Sequence, residues 1–293
     1  MHWFSKSHVK AIMIIPTVIL FMAYVTVPII IAMYYSFTNF TGVGSPKITG
    51  FSNYFTLFSD KIFYIALRNT AIILVATIIL LIPGSFGLSL LLNRTFKGDS
   101  VAKAMDFCPN IVSPILVGLI WVFILDPHMG LVNAFLGAAG LESWQREWIG
   151  GNTLTPFSVA VVFTWQMLGY YATIFLAGLK SVPEDLYEAA EIDGANSVQR
   201  LFQITIPQIK GTFIVVVLLV ITGCFKIFEI VYQLTNGGPN HQSDTLITYM
   251  YFTTFNSSRY GYGMSIATVT FLITAVFSIV YIICTRERLG EDR

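Results

Sequence analysis

Two charged side chains, Lys226 and Glu229, sit inside an otherwise apolar run. At a helix centre in a bilayer such a charge costs roughly 2.5–3.5 kcal/mol, so each asks for a reason. Three residues apart, they share one face of a helix and are placed to neutralise each other. They also lie toward one end of the run, where a lysine stem can carry its charge to water. An interfacial ion pair and a place on a polar solute route both fit them. Uncharged groups suited to a sugar-like solute fall within apolar runs too: Asn110, Ser113, Trp165, Gln166, Tyr170, Tyr171 and Tyr232, with Gln233. Aromatic faces with amide and hydroxyl hydrogen bonds bind neutral polyols, but aromatic girdles and helix–helix packing use the same residue types.

Catalysis has no comparable foothold. No GxxxxGK[ST] phosphate loop occurs, and the imitation at 42–47, GVGSPK, puts proline where amide donors are needed. There is no HExxH pair, and His2, His8, His128 and His241 are scattered outside the apolar runs. Cys108, Cys224 and Cys284 are far apart with no CxxC, so neither a disulfide framework nor a metal site is indicated. The expectation is a chain that is not an enzyme and binds no cofactor or metal of its own.

The chain that must position these residues has 293 residues, 55% hydrophobic and 11% charged, with mean hydropathy +0.70. Soluble domains carry about 25% charged residues, so composition alone indicates a membrane protein. A net charge of +1 gives no reason to expect a nucleic-acid partner. Six stretches meet the length and apolarity of a bilayer span: about 11–36, 70–93, 107–125, 156–179, 211–235 and 261–285. The first is too long for a signal peptide and is read as an anchor. The third is punctuated by Pro109 and Pro114.

Six spans put both termini on one side. If that side is the cytoplasm, the internal segments hold Lys6, Lys10, Arg94, Lys97, Lys103, Lys180, Arg200, Lys210, Arg286, Arg288 and Arg293. The external ones hold only Lys47, Lys61, Arg146 and Arg259, as the positive-inside rule requires. The external interval 126–155 has Gly130, Gly137 and Gly140 as turn residues, and Trp144 and Trp148 suit a membrane–water boundary. The interval 236–260 opens with Asn-Gly-Gly-Pro, a strong break. The fold expected is all-α, residues 1–293 forming a single membrane domain without internal repeats.

The interval 181–210 is the one long polar stretch between clean apolar runs, and the counting places it in the cytoplasm. Ser181 with Glu184 reads as a capping box, and Gly194 as a helix stop. A second helix from Asn196 or Ser197 must end or kink near Pro207. Small residues and a glycine amid acidic ones permit close approach to a basic groove on a cytoplasmic partner. An amphipathic interfacial helix pair is the plainer reading, but it does not account for that clustering.

From Glu188 to Pro207 the pattern is EAA-x3-G-x9-I-x-I-P, with Glu188, Ala189, Ala190, Gly194, Ile204 and Pro207 at its fixed positions. This resembles the coupling motif of permease subunits of binding-protein-dependent ABC importers, the family of the maltose, glycerol-3-phosphate and oligosaccharide permeases. Ile206 stands where that family commonly has leucine. Asp126-Pro-His-Met-Gly-Leu-Val-Asn133, the run 225–232 with Thr235 and Gly237-Gly-Pro239, and Tyr260-Gly-Tyr-Gly263 extend the resemblance over nearly the whole chain. Glu229 stands where aspartate is usual. The chain lacks the extra amino-terminal spans and large external domain of the larger maltose subunit, and is closer to compact six-span members.

The resemblance implies a type I importer permease fold with a cytoplasmic coupling-helix pair between the fourth and fifth spans. It implies a prokaryotic cell membrane and an alternating-access pore shared with a second, homologous permease subunit. It further implies two cytoplasmic ATPase subunits carrying ATP and Mg²⁺, and an extracytoplasmic solute-binding protein. A helix starting near Val182 would dock in a cleft of the ATPase, with Glu188 in polar contact, Ala189 and Ala190 allowing close fit, and Gly194 setting the turn. The solute implied is a sugar or oligosaccharide, with a polyol phosphate as the other option. An ion-coupled secondary transporter and a membrane scaffold are the readings from other classes.

Overall fold

A computed structural model describes residues 7–94, 96–151 and 153–290, with side chains over 12–285. His2, Lys6 and Arg293 lie outside these residues, as do the side chains of His8, Lys10, Arg286 and Arg288. Among the described residues the architecture is helical, and the single β-contact is an isolated antiparallel bridge between Thr38 and Ile48. A chain this apolar has little alternative. Inside hydrocarbon each backbone group needs an internal partner, and a helix supplies that within one segment.

In chain order the helices are α1 (Ile12–Ser36), α2 (Ser52–Phe58), α3 (Lys61–Leu92), α4 (Asp99–Ile111), α5 (Pro114–Leu125), α6 (Leu131–Ala138), α7 (Thr155–Lys180), α8 (Glu184–Ile192), α9 (Ser197–Gln208), α10 (Lys210–Cys224), α11 (Glu229–Thr235), α12 (Leu246–Tyr251) and α13 (Tyr260–Gly290). Helices α1, α3, α7 and the Tyr260–Thr285 part of α13 are each long and apolar enough to cross a membrane. Two bent pairs raise the number to six if each counts as one span: α4 with α5, at 93°, and α9 with α10, at 68°. Two of the wide, π-type turns, Met22–Thr26 and Leu201–Thr205, directly precede the prolines Pro28 and Pro207. A proline has no N–H to return to the preceding turn, so the local winding loosens there.

Two of the expected spans take a different form. The third does not run straight through 107–125. It starts at Asp99 and breaks at Val112 and Ser113, both extended (ψ 134° and 132°). Pro114 disfavours helical geometry at the residue before it, which is why the break falls there. The apolar run 211–235 also stops as a helix at Cys224 and resumes only at Glu229. Ser181 does not form the expected capping box either: its hydroxyl donates back to the Gly178 carbonyl at 2.7 Å, ending α7, and the next helix starts at Glu184.

Contacts divide the described residues into two units: those up to Asp60 with Met250–Leu272, and Lys61–Tyr249 with those from Ile273 onward. In the first, Asn53 Nδ2 donates to the carbonyls of Ser36 and Thr38, both at 2.8 Å, fixing α2 against the end of α1. Tyr262 donates to Asp60 Oδ2 at 2.6 Å, and the Arg259 guanidinium lies 4.5 Å over the Tyr262 ring.

The second unit is built on α3 against α7, its most extensive helix pair. The buried stripe of α3 runs Ala66, Thr70, Ile73, Thr77, Leu81, Ser85 and Ser89, and α7 answers with Ala160, Val162, Ala172 and Phe175. Small side chains at these spacings let the backbones approach, and between helices in lipid that dispersion gain replaces the escape from water. Ser85 and Ser89 return their hydroxyls to carbonyls of their own helix, at 2.6 Å each. Helix α4 crosses α7 so closely that a Cβ on Gly169 would overlap the Asp106 carbonyl oxygen. The break between α4 and α5 is held from the same helix: Gln166 Nε2 donates to the freed Val112 carbonyl at 3.0 Å.

Gly169→Ala is expected to destabilise the protein by about 1–3 kcal/mol through overpacking. Gly87→Ala, where an added Cβ meets nothing within 4 Å, is the neutral control, both read as thermal stability in detergent. Gln166→Leu strands the half-buried Val112 carbonyl and is expected to cost about 1–3 kcal/mol by the same assay.

Candidate functional site

Helix α8 starts after Pro183, with Glu184 and Asp185 in its first turn at the positive end of the helix. Its end is a hydrogen-bonded left-handed turn. The Ala195 amide returns to the Ala190 carbonyl at 2.9 Å and the Gly194 amide to Glu191 at 3.1 Å, with Gly194 at φ +76°. That is the Schellman arrangement, and its left-handed residue is why glycine stands at 194. Helix α9 is then opened by a complete capping box: Asn196 Oδ1 accepts from the Gln199 amide at 2.9 Å, and Gln199 Oε1 from the Asn196 amide at 2.8 Å. The Tyr187 and Thr205 hydroxyls meet at 3.0 Å and tie α8 to α9.

Of the six motif residues, Ala190 is buried and Ile204 half-buried, while Glu188, Ala189, Gly194 and Pro207 face outward. A cleft of about 480 Å³ between the helices is lined by Ala190, Gly194, Arg200 and Ile204 among others. A Cβ on Gly194 would meet nothing within 4 Å. Beside it stand Ile192, 87% exposed, with Val198 and Phe202. Arg200 reaches Glu191 at 3.1 Å, but the carboxylate is 75% exposed, so this pair contributes little. The element is a stiff, two-helix knob with an apolar and small-residue face.

Of the residues read as a solute route, Asn110, Ser113 and Gln166 come together at the α4–α5 break, and the rest do not join them at one place. Gln166 and Tyr171 are buried, the former engaged at the α4–α5 break. Asn110 Nδ2 meets Met167 Sδ at 3.2 Å, and Ser113 opens α5. Trp165 is 42% exposed and sits edge-on to Trp121, with ring centres 5.6 Å apart. Tyr170 is 37% exposed, but five residues on from Trp165 it points about 140° away around α7. Tyr232 stacks on Phe228 at 5.3 Å. Gly118 lets α11 lie against α5, since a Cβ there would fall 2.7 Å from the Gln233 Cβ. Lys226 and Glu229 do not share a helix: Lys226 falls in the break after α10 and Glu229 begins α11. Both are exposed, and among the described residues no ion pair joins them.

What the sequence reading did not single out is a buried polar knot after α11. Asn69 Nδ2 donates to the carbonyls of Gln242 and Asp244, at 2.7 and 3.0 Å, and the Thr70 hydroxyl accepts from the Leu246 amide at 3.1 Å. Thr245 supplies a hydroxyl donor to the Ile227 carbonyl left by the break, at 3.3 Å. Asp244, fully buried, takes Thr248 Oγ1 at 2.9 Å and meets His241 Nδ1 at 2.7 Å. Burial pushes the Asp244 carboxyl above the usual range, and the His241 and Thr248 hydrogen bonds pull against it. The Asn-Gly-Gly-Pro break marked where this loop begins. Nothing local marked its partners, more than 170 residues earlier.

Comparison with known proteins places this architecture. Residues 107–286 match the family described as the binding-protein-dependent transport system inner membrane component. The probable ABC transporter permease protein YurN of Bacillus subtilis is 34% identical over 265 residues, covering 89% of this chain and 91% of the relative. The probable starch degradation products transport system permease protein AmyD of Thermoanaerobacterium thermosulfurigenes is 31% identical over 280 residues, covering 95% and 94%. The arabinooligosaccharides transport system permease protein AraP of Bacillus subtilis is 31% identical over 292 residues, covering 99% and 92%. A chain of the bacterial alginate ABC transporter, solved in complex with an alginate-bound periplasmic protein, has the same fold, with TM-score 0.81 at 22% identity and 98% of each chain covered. With its all-helical, multi-pass fold and the pattern at Glu188–Pro207, the chain belongs to the inner membrane permeases of binding-protein-dependent ABC importers, and is a pore subunit rather than an enzyme.

Proposed function

We propose that this permease forms half of the translocation pore of an ATP-driven importer for a sugar or oligosaccharide, and that α8 and α9 dock on a separate ATPase. The observation that carries the docking is the turn at Gly194. A helix pair stapled by a Schellman turn, a capping box and the Tyr187–Thr205 bond holds a small-residue face open to the outside. Such a knob transmits force as a rigid body, so closure of the ATPase dimer over ATP and Mg²⁺ reaches α7 and α10 as rotation. A second, homologous permease completes the pore, and an extracytoplasmic solute-binding protein delivers the solute. Both termini are on the ATPase side.

A saccharide is favoured by the relatives named for starch products and arabinooligosaccharides and by one named for trehalose and maltose. The exposed rings of Trp165, Tyr170 and Tyr232 suit sugar faces. Lys226 and Glu229, unpaired with each other, remain accessible for polar contacts on such a route.

Gly194→Trp is expected to lower saccharide uptake by the assembled transporter at least about tenfold, equivalent to ~1.4 kcal/mol of lost coupling, with normal amounts in the membrane. Gly44→Trp, also at a left-handed residue (φ +83°) with open space beside it, controls for backbone strain and leaves uptake near wild type. Unchanged uptake in the Gly194 variant would refute the docking role. A panel of labelled sugars, with a polyol phosphate included, identifies the solute.

A further inference from the structure

Helix α6 carries an apolar stripe that nothing among the described residues covers. Leu131, Ala134, Phe135 and Ala138, at the i, i+3, i+4 and i+7 positions of one face, are all exposed, Leu131 at 66% and Phe135 at 72%. Met129, 88% exposed, and Trp144, 67%, flank it. Between Asp126 and Glu142 there is no acidic residue, lysine or arginine. In water this would be an unexplained apolar patch.

The opposite face explains why the stripe points outward. Asn133 is buried there and organises the interval: its Nδ2 donates to the carbonyls of Pro127 and Arg146, both at 2.9 Å, and its Oδ1 accepts from Trp148 Nε1 at 2.7 Å. The level of α6 is fixed as well. Asp126 Oδ1 accepts from the amides of His128 and Met129, each at 2.8 Å, closing a tight turn at the end of α5. A Cβ on Gly130 would overlap the Asp126 carbonyl oxygen, so the chain doubles back directly on the apolar helix it has just left.

We propose that α6 lies in the membrane–water boundary, at the bilayer face opposite α8 and α9, with the stripe of Leu131, Ala134, Phe135 and Ala138 in lipid. Helix α7, one continuous span of 26 residues, separates the two faces. The stripe continues the exposed apolar surface of α5, and Trp144 then occupies the depth that tryptophan prefers. Short though α6 is, its apolar residues have a solvent there that they lack in water, and Asn133 keeps its polar side toward the protein.

Spin labels at Ala134→Cys, Ala138→Cys and Phe135→Cys, in the assembled transporter with Cys108 and Cys284 changed to serine, read this directly in lipid nanodiscs. The expected result is a several-fold higher oxygen-to-nickel-chelate collision ratio at all three than at Glu142→Cys, unchanged by added solute-binding protein. The two alanine positions are small-to-small changes, so the test survives if Phe135→Cys does not assemble. Collision ratios equal to that at Glu142 would overturn the proposal. So would nickel access lost only when the solute-binding protein is added, which would assign the stripe to that protein.

Discussion

A backbone carbonyl released from a helix inside a bilayer has no water to turn to, and that constraint governs the places where this chain bends. At two of its interruptions a carbonyl is taken by a side chain from another element: that of Val112 by Gln166 from α7, and that of Ile227 by Thr245 from the loop before α12. The bends are therefore held features. Val112 frees its carbonyl where the chain leaves the helix before Pro114, which disfavours helical geometry at Ser113, and Gln166 of α7 takes it. Around these points the helices touch through glycine, with Gly169 under α4 and Gly118 under α11. Close contact and satisfied bends hold α4, α5, α7 and α11 against one another.

The α8–α9 pair follows a different physics. Outside the apolar runs, short helices are marginal, and α8 and α9 are too short to stand by propensity alone. Their stability comes from ends: an acidic first turn, the Gly194 turn, the Asn196–Gln199 capping box and one hydroxyl pair. The result leaves Ile192, Val198 and Phe202 uncovered beside an open glycine. A surface so arranged is costly in water and well suited to a complementary cleft. Helix α6 shows the same uncovered quality, but its position at the end of an apolar helix and its lack of charge fit it to lipid instead, as proposed above.

Much of this was legible from residue order. Apolar run lengths located the helices α1, α3, α7 and α13, because length and hydropathy are local properties. Gly194 as a stop, Asn196 or Ser197 as a start and the bend near Pro207 all follow from the conformational limits of single residues. The Ser181 capping box failed for a local reason too, since α7 runs on to Lys180 and claims that hydroxyl for its own last turn. The shared face expected of Lys226 and Glu229 failed because the helix ends at Cys224, and a three-residue spacing means something only within one helix. Gln166 read as a sugar ligand or a packing group. Only the fold shows its amide beside Val112, 54 residues away in sequence, holding the bend. The Asn69–Asp244 knot was invisible for the same reason at greater distance.

The central claim is that this chain holds the pore and receives its drive at α8 and α9. Amide hydrogen exchange on the permease assembly, with and without its ATPase, tests that at the surface in question. The account predicts strong added protection across α8, the Gly194 turn and α9 when the ATPase is bound, and little change in α6 or the 236–245 loop. Equal exchange at α8 and α9 in the two states, with protection arising elsewhere on the chain, would contradict it.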